Sequence, residues 1–423
     1  MKIERYTNEL RQKGEWKYIL LIIAVIILYT SGLSYVGWNP TISGWIKNGI
    51  SIVLLLFLVL HFPKSNNYNF KKDVLLLMFI PFLSSINTNM LYGQSYFDSV
   101  RALLPNITWI FYFVLHKYKV KESAILKSFL IISLLIVGIQ IIQQFTFPNA
   151  YFGVASEDSL VETGMNDIAE QRNGLWRFRM GNNGYFTCVI LFALLMWVRK
   201  KWSNSIIFLI ALMFVSVYLT LTRQVIGACL LAVIFSFFLG KKSGGMGKVL
   251  IFGIVLAGLL YSYSDVLFGS LAQQTSEDVS DSNIRVLAAT YFWSESISSP
   301  EIFILGHGAP SGSGNFRNLM EQLQTVMHFY TSDVGVVGEI YTYGIIYVFL
   351  CYRLLWRLFF KFRKEIPTYI RLFVIFSSVM SIMIFPMYGP VHYLVWIALM
   401  YIADLHINKK QTNIRKPISY GSV

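Results

Sequence analysis

Long apolar runs recur along the whole chain and are separated by short polar segments. Each run is about 17 to 25 residues long, which is the length that crosses a bilayer as an α-helix. The runs are continuously apolar rather than alternating in ten-residue stretches, and this favours helices over a β-barrel. The pattern therefore predicts an all-α integral membrane protein, a single polytopic domain over residues 1–423 with about 12 transmembrane helices. The predicted spans lie near 17–37, 46–62, 73–90, 99–116, 124–145, 183–198, 205–221, 224–240, 248–268, 333–360, 368–388 and 390–407.

The charged residues lie mainly between these apolar runs. Only 14% of the residues are charged against 55% hydrophobic, and the formal net charge is +14. The lysines and arginines form short clusters between the runs, which is how the positive-inside rule distributes them in membrane proteins. This distribution explains the basic composition without a nucleic-acid partner. It predicts that both termini lie in the cytoplasm and that the first apolar run is a retained helix rather than a signal peptide.

One arginine, Arg223, interrupts the otherwise uncharged stretch 205–240. An unpaired guanidinium within hydrocarbon costs about 2.5 to 3.5 kcal/mol. The basic residues on both sides of the stretch, Arg199–Lys201 and Lys241–Lys242, favour the cytoplasm. The stretch therefore predicts two short helices that turn at Thr222–Gln224, with Arg223 at the outer face of the membrane.

Two outer segments are too long to be simple turns. They cover residues 147–182 and 269–332, and loops of this length are usually functional. Within the second segment, apolar residues with helical spacing predict a short helix that lies at the membrane interface. This helix would bring Arg285 to the membrane surface.

The basic residues of the outer segments are arginines with one exception, Lys47. The full set is Lys47, Arg101, Arg172, Arg177, Arg179, Arg223, Arg285 and Arg317. A planar guanidinium grips phosphate through two hydrogen bonds, so this set favours phosphate recognition over membrane orientation. The alternative for each arginine is a contact with lipid headgroups or with an external acid. If the helices bundle, Arg179, Arg223 and Arg285 converge on one outer cavity that attracts a diphosphate.

Four segments follow one another in the second half of the chain, between about residues 177 and 350. They read WRFRMGNNGYFTCVILFALL, YLTLTRQVIGACLLAVIF, SNIRVLAATYFWSESISSPEIFILGHG and TSDVGVVGEIYTYGIIYVFL. In this order they resemble the signature segments of the bacterial O-antigen polymerase and O-antigen ligase superfamily. The resemblance implies a helical bundle like that of GT-C glycosyltransferases, with Arg179, Arg223 and Arg285 holding the diphosphate of a lipid-linked glycan donor.

The resemblance also implies an activity and its partners. Members act on glycans linked to undecaprenyl diphosphate, so a donor and an acceptor of this kind are expected together with the lipid bilayer, a flippase and a chain-length regulator. No metal and no other cofactor is expected, since guanidinium groups can stabilise the departing diphosphate. The expected location is the bacterial cell (inner) membrane, with the active site on its outer face.

Three functions remain open, and two of them share the donor site. The ligase branch of the family has a histidine eleven residues before the glycine that corresponds to Gly344, where this chain has Asp333. This difference favours a polysaccharide polymerase over an O-antigen ligase, which joins a finished glycan to a lipid A core. The third function is a lipid-linked oligosaccharide flippase or another transporter. A transporter predicts broken helices or charges near the middle of the membrane.

A glycosyl acceptor hydroxyl needs a positioned base, and several residues are candidates for this role. Asp333 is the first candidate, with His328 as an alternative five residues earlier. Arg223 and Arg285 are also candidates for catalysis. The residues predicted to bind substrate are Arg177, Arg179, Arg223, Arg285, Tyr330 and the deeper acid Glu339. Asp333 has an equally simple alternative role as the N-cap of the helix that follows it.

Other reactive residue types are predicted to be structural. His307 stands beside glycines in LGHGAP, which favours a turn. The cysteines Cys188, Cys229 and Cys351 each lie inside an apolar run, where a small buried hydrophobic residue is the simplest interpretation.

Overall fold

The chain has 423 residues, and its computed structural model describes most of them. The described residues are 2–37, 39–61, 68–149, 151–153, 169–172, 174–178, 180, 184–239, 284–312 and 314–415. Arg179 and the predicted span near 248–268 lie outside this part of the chain.

Helices contain most of the described residues. The first half contains α1 (Lys2–Tyr29), α2 (Ser31–Ser34), α3 (Pro40–Leu60), α4 (Lys71–Tyr92), α5 (Tyr96–Leu103), a 3-10 helix (Leu104–Ile110), α6 (Phe111–Lys117) and α7 (Glu122–Thr146). A small antiparallel hairpin follows, with β1 (Ala169–Arg172) and β2 (Leu175–Phe178). The second half contains α8 (Gly184–Val198), α9 (Asn204–Leu219), α10 (Arg223–Leu239), α11 (Ile284–Ser296), α12 (Pro300–Leu305), α13 (Asn315–Thr325), a 3-10 helix (Thr331–Asp333), α14 (Gly335–Trp356) with a π-helical extension (Arg357–Lys361), α15 (Thr368–Met380) and α16 (Pro390–Arg415).

Five of the described helices are long and apolar enough to cross a membrane. They are α3, α4, α7, α14 with its extension, and α16, and four shorter apolar helices are α8, α9, α10 and α15. The prediction of a helical protein with apolar helices of membrane-spanning length is confirmed at this level. The count of about 12 spans and the likeness to GT-C enzymes remain predictions. The hairpin is an addition to the all-α prediction, and it lies in the first long outer segment.

Two predicted spans have different bounds in the structure. The run near 99–116 is divided into α5, a 3-10 helix and α6, and Pro105 stands at the start of the 3-10 helix. Proline lacks a backbone N–H and clashes with the preceding turn, which disfavours a continuous α-helix here, although α4 accommodates Pro81 in its interior. The run near 368–388 forms a helix only as far as Met380. Ser381 then leaves the helix, and its carbonyl oxygen accepts a hydrogen bond from Val336 N at 3.1 Å.

The helix α16 lies at the centre of the bundle. Over Pro390–Thr412, 83% of its most apolar stretch is buried, against 22% for the corresponding part of α3. It packs against α1, α6, α8 and the first 3-10 helix, and Trp396 and Tyr401 are among the largest fully buried side chains. The exposed apolar face of α3 is typical of a helix that contacts lipid.

The two ends of the bundle differ in their chemistry. At one end, the start of α4 meets the end of α14, where Asp73 accepts hydrogen bonds from Arg353 Nη2 at 2.7 Å and from Arg357 Nη1. Asp73 is 1% exposed. We call this the Asp73 end. Because α14 runs from Gly335 to this point, its first turn lies at the opposite end, which also holds the end of α15.

A non-helical segment after α12 is inserted between α4 and α14. His307 N donates to Tyr341 O at 2.7 Å and Gly308 N donates to Thr342 O at 2.8 Å. The helix α14 is interrupted at this contact, where Gly344 has φ 78° and ψ 170°. The side chains of Asn87 and Thr88 on α4 donate to Gly306 O and His307 O of the same segment, and Asn87 also donates to Glu301 O in α12. Irregular backbone inside a helical bundle is tolerated where protein groups satisfy it in this way.

Candidate functional site

A cavity of about 250 Å³ lies at the end of the bundle where α14 begins. The described residues that line it come from five separate parts of the chain. They are Arg177, Thr222, Gln224, Arg285, Asp333, Met383 and Ile384. Two guanidinium groups and one carboxylate thus share a single small space with one apolar wall.

Arg177 reaches the cavity from strand β2. Its Nη2 donates a hydrogen bond to Thr222 Oγ1 at 3.2 Å. The strand is anchored to the end of α7, because Gln144 bonds both backbone groups of Trp176, with Nε2 to O at 2.6 Å and N to Oε1 at 2.9 Å. The Trp176 ring also stacks on Phe147 with the ring centroids 3.8 Å apart. The hairpin is therefore a fixed support for the arginine.

Thr222 and Gln224 belong to the turn between α9 and α10. The carbonyl of Thr222 accepts a hydrogen bond from Ile226 N at 3.1 Å, which starts α10. Leu221 has φ 45°, and its side chain is buried. The predicted turn is confirmed to within two residues. Arg223 is the first residue of α10, between the two lining residues, but it is not itself one of those that line the cavity.

Arg285 is the second residue of α11, which packs against α14. The buried residues of α11 are Ala288, Phe292 and Ser296, and the Phe292 ring lies 4.8 Å from that of Tyr341. Positions 285, 292 and 296 fall on one side of a helix because seven and eleven residues make nearly whole numbers of turns. Burial of this face therefore directs Arg285 toward the bundle.

Asp333 ends the 3-10 helix that leads into α14. Its backbone N–H donates to Tyr330 O at 3.1 Å, and Ser332 Oγ donates to its Oδ1 at 3.3 Å. Two glycines allow the surrounding backbone to pack closely. A Cβ on Gly338 would overlap the carbonyl of Thr331, and Gly335, with φ 51°, lies against the carbonyls of Ser381 and Ile382. The N-cap role predicted as an alternative is not observed, since Val334 is the N-cap and no side chain caps it.

The electrostatics of the cavity favour an anion. The arginines outnumber the acid among its lining residues, and it lies where α10, α11 and α14 all begin. Helix starts present unpaired N–H groups and a partial positive charge. The arrangement can hold a polyanion on its guanidinium groups while the Asp333 carboxylate accepts a proton nearby.

The remaining site predictions have mixed outcomes. Tyr330 is half-buried and His328 is exposed, with φ 55°, and neither lines the cavity. Glu339 is buried in the second turn of α14 and does not line it either. The side chain of Arg179 lies outside the described residues. Of the predicted residues, the structure therefore brings together Arg177, Arg285 and Asp333.

Several residues of the site have no clear signal in the sequence. Met383 and Ile384 belong to an apolar run predicted as a span, and Gln144 is one of three glutamines, with Gln140 and Gln143, near the end of another. In the sequence, Thr222 and Gln224 are marked only by their position in the predicted turn. A polar residue beside the end of a span is the one feature that Gln144 and Gln224 share.

His307 and the cysteines are structural. His307 is 2% exposed, with Tyr92 Oη 2.7 Å from its Nδ1 and the Tyr341 ring stacked on it at 4.1 Å. Burial lowers the pKa of His307 to about 4, although the carbonyl of Glu295 acts in the opposite direction. The three cysteines are buried and unbridged.

Metal ligands are not clustered in the part of the chain that the structure describes: no three His, Cys, Asp or Glu side chains are placed to hold an ion there. The expectation of an activity without metal or cofactor remains a prediction. Comparison with protein-family models gives no match for this chain, and a search of curated proteins gives none either. The family resemblance therefore depends on the four sequence segments alone.

Proposed function

We propose that the protein is a membrane polysaccharide polymerase, a metal-independent glycosyltransferase of the O-antigen, capsule or exopolysaccharide type. It transfers a glycan from undecaprenyl diphosphate to a repeat unit carried on a second undecaprenyl diphosphate. The observation that carries the proposal is the cavity that contains Arg177, Arg285 and Asp333 together. The order of the four sequence segments supports it independently.

In this proposal the arginines hold the diphosphate and Asp333 acts as the base. The bond between the anomeric carbon and the diphosphate oxygen breaks, and the diphosphate leaves with the electron pair. The acceptor hydroxyl forms the new bond to that carbon, and its proton passes to Asp333. Guanidinium groups stabilise the charge that develops on the leaving oxygen, as donors do in other sites of this type.

The size of the cavity fits this division of roles. Pockets that enclose a drug-sized ligand are about 300 to 1,000 Å³, whereas this one is about 250 Å³. It admits a diphosphate with the reacting sugar atoms, while the lipid and the rest of the glycan remain outside. In the proposed orientation the cavity faces the outer leaflet of a bacterial cell membrane, and the Asp73 end and both termini face the cytoplasm. A flippase would deliver the repeat units and a chain-length regulator would act on the product.

The test is a polymerisation assay with purified protein in lipid nanodiscs and lipid-linked repeat units. Wild-type protein should produce a ladder of glycans. Removal of one charge-stabilising donor, by Arg177→Ala or Arg285→Ala, should lower turnover by about 10² to 10³, and Asp333→Asn should lower it by about 10² to 10⁴.

A matched control is Arg317→Ala, which removes an exposed arginine that pairs with Glu321 one turn away on α13. This variant should keep its turnover. Unchanged activity in the Arg177 and Arg285 variants would refute the proposed role of the cavity. The same assay separates the polymerase from the ligase, because a ligase adds one finished glycan to a lipid A core and makes no ladder.

A transporter is the second candidate function, and one observation favours it. The helix α14 is interrupted at Gly344, five residues after the buried acid Glu339, and broken helices with buried ionisable residues are typical of transporters. A fluorescent lipid-linked oligosaccharide that crosses the bilayer of a proteoliposome, without formation of a new glycosidic bond, would support this alternative.

A further inference from the structure

Glu339 is an acid in the interior of the bundle, separate from the cavity. It is 2% exposed and lies in the candidate span Gly335–Lys361. Its Oε2 atom is buried and has no hydrogen-bond partner among the described residues. No described lysine, arginine or histidine forms an ion pair with it, in contrast to Asp73, which has two arginine partners. A charged acid at this depth in a membrane span costs free energy, so acids found there usually have a function.

The groups around Glu339 are polar but carry no positive charge. Those that interact electrostatically with its carboxyl are Tyr343, Tyr347 and Cys351 on α14 and Tyr393 on α16. Phenols and thiols are neutral at physiological pH when their environment is ordinary, and burial favours the neutral form further. Among the described residues, the environment therefore offers dipoles to the carboxyl and no compensating cation.

The hydrogen-bonding pattern of the cluster leaves room for a donor and an acceptor. Tyr393 Oη donates to Asn106 Oδ1 at 2.8 Å. Tyr347 is fully buried, its ring centroid is 5.0 Å from that of Tyr343, and its hydroxyl has no partner in the described part of the chain. A protonated carboxyl can both donate and accept, whereas a carboxylate can only accept.

The ligand that suits these groups is a proton. An ionised carboxylate without a partner in an apolar interior costs more than its protonation, so the group becomes neutral instead. A sodium ion would need several oxygen ligands together, whereas the groups that interact with the carboxyl are phenols and a thiol. We propose that Glu339 and the surrounding phenols form a proton-binding site inside the bundle, in which the carboxyl carries its proton at neutral pH.

Binding adds one proton to one carboxylate, and no other bond is formed or broken. The inference does not depend on the proposed function. It has one consequence for that function, because a carboxyl that already carries a proton cannot serve as the base. Asp333, which lines the cavity, then remains the only one of the two acids able to accept a proton from a hydroxyl.

Difference infrared spectroscopy of the whole chain in lipid nanodiscs tests the site directly. At pH 7 the spectrum of wild type minus Glu339→Gln should contain the carbonyl band of a protonated carboxylic acid, with the shift on transfer to D₂O that exchange of its proton produces. The subtraction removes the bands of the other buried acids, Asp73 and Asp404. Carboxylate bands in this difference spectrum would overturn the proposal.

A second measurement keeps the test valid if the glutamine variant fails to fold. The wild-type protein alone should lose the protonated-acid band on titration to alkaline pH, and modification by a hydrophobic carbodiimide, which reacts with protonated carboxyls, should map to Glu339 by mass spectrometry. The exposed acid Glu321 is the internal reference and should react only with a water-soluble carbodiimide. Loss of the band on addition of Na⁺ at constant pH would instead assign the site to a metal cation and refute the proton as its ligand.

Discussion

The chain at Gly306 passes so close to the interrupted helix α14 at Gly344 that neither position has room for a Cβ, and this close approach yields a sharp prediction for Gly344→Ala. The φ and ψ of Gly344, 78° and 170°, lie in a region that essentially only glycine occupies. A Cβ at this position would overlap the carbonyl oxygen of Ile304 and lie 2.6 Å from Leu305 N. Both neighbours are backbone atoms and cannot rotate away.

The expected loss of stability has two parts. A non-glycine residue in this backbone conformation costs about 1 to 3 kcal/mol. Separation of the two chains would weaken the hydrogen bonds His307 N to Tyr341 O and Gly308 N to Thr342 O, each worth about 0.5 to 1.5 kcal/mol. Gly344→Ala should therefore lower the free energy of unfolding by about 2 to 6 kcal/mol.

The measurement is thermal unfolding in detergent, followed by tryptophan fluorescence and by the fraction that remains monodisperse on size exclusion. Gly227→Ala is the matched control, since Gly227 lies in the exposed part of α10 and a Cβ there would meet nothing within 4 Å. It should leave stability unchanged or raise it by up to about 1 kcal/mol, because alanine has the higher helix propensity. Equal melting temperatures for Gly344→Ala and the wild type would refute the interpretation of the contact.

Three further predictions concern titration and charge. Because the pKa of His307 is about 4 in the folded protein and about 6.5 in an unfolded chain, its contribution to stability is complete above pH 6.5 and declines as the pH falls toward 4. The loss should be about 2 kcal/mol at pH 5, measured as the difference between wild type and His307→Gln; a parallel pH dependence of the two would contradict it. Asp73→Ala should cost about 3 kcal/mol in a denaturant or thermal assay, since it leaves Arg353 and Arg357 without their shared buried carboxylate, and a loss below 1 kcal/mol would show that solvent replaces it. Glu321→Ala breaks an exposed pair instead and should change stability by less than about 0.5 kcal/mol in the same assay.

The sequence predicts a structural element best where two independent signals agree. The turn between α9 and α10 has basic residues at both far ends and an arginine in the middle, so charge and length lead to the same position. The structure has α9 ending at Leu219 and α10 beginning at Arg223. The end of α15 at Met380 had no such signal. Several of the residues that follow are as apolar as the helix, and only the structure shows that Ser381 and Ile382 pack against Gly335 while Met383 and Ile384 form a wall of the cavity.

Which of the predicted arginines line the cavity could not be predicted from the sequence. Arg177, Arg223 and Arg285 were all predicted on the outer side, yet the cavity uses the first and third. Adjacent residues of a helix differ by about 100° in direction, so the position of a turn does not decide which of its side chains faces a neighbour. That depends on the packing of β2 against Thr222, which Gln144 secures through the backbone of Trp176. No periodicity in the sequence reveals a contact between segments so far apart.

The central position of α16 affects how the bundle assembles. It is the last described helix in chain order, yet Asp404 on it receives hydrogen bonds from Tyr112, from His116 and from Asn69 N near the start of α4. During synthesis the earlier helices enter the membrane first. Their polar groups can bond Asp404 only after α16 has been inserted. A chain that stalls before α16 lacks Asp404 and leaves Tyr112, His116 and Asn69 N without this partner, so it should be a product that membrane proteases recognise.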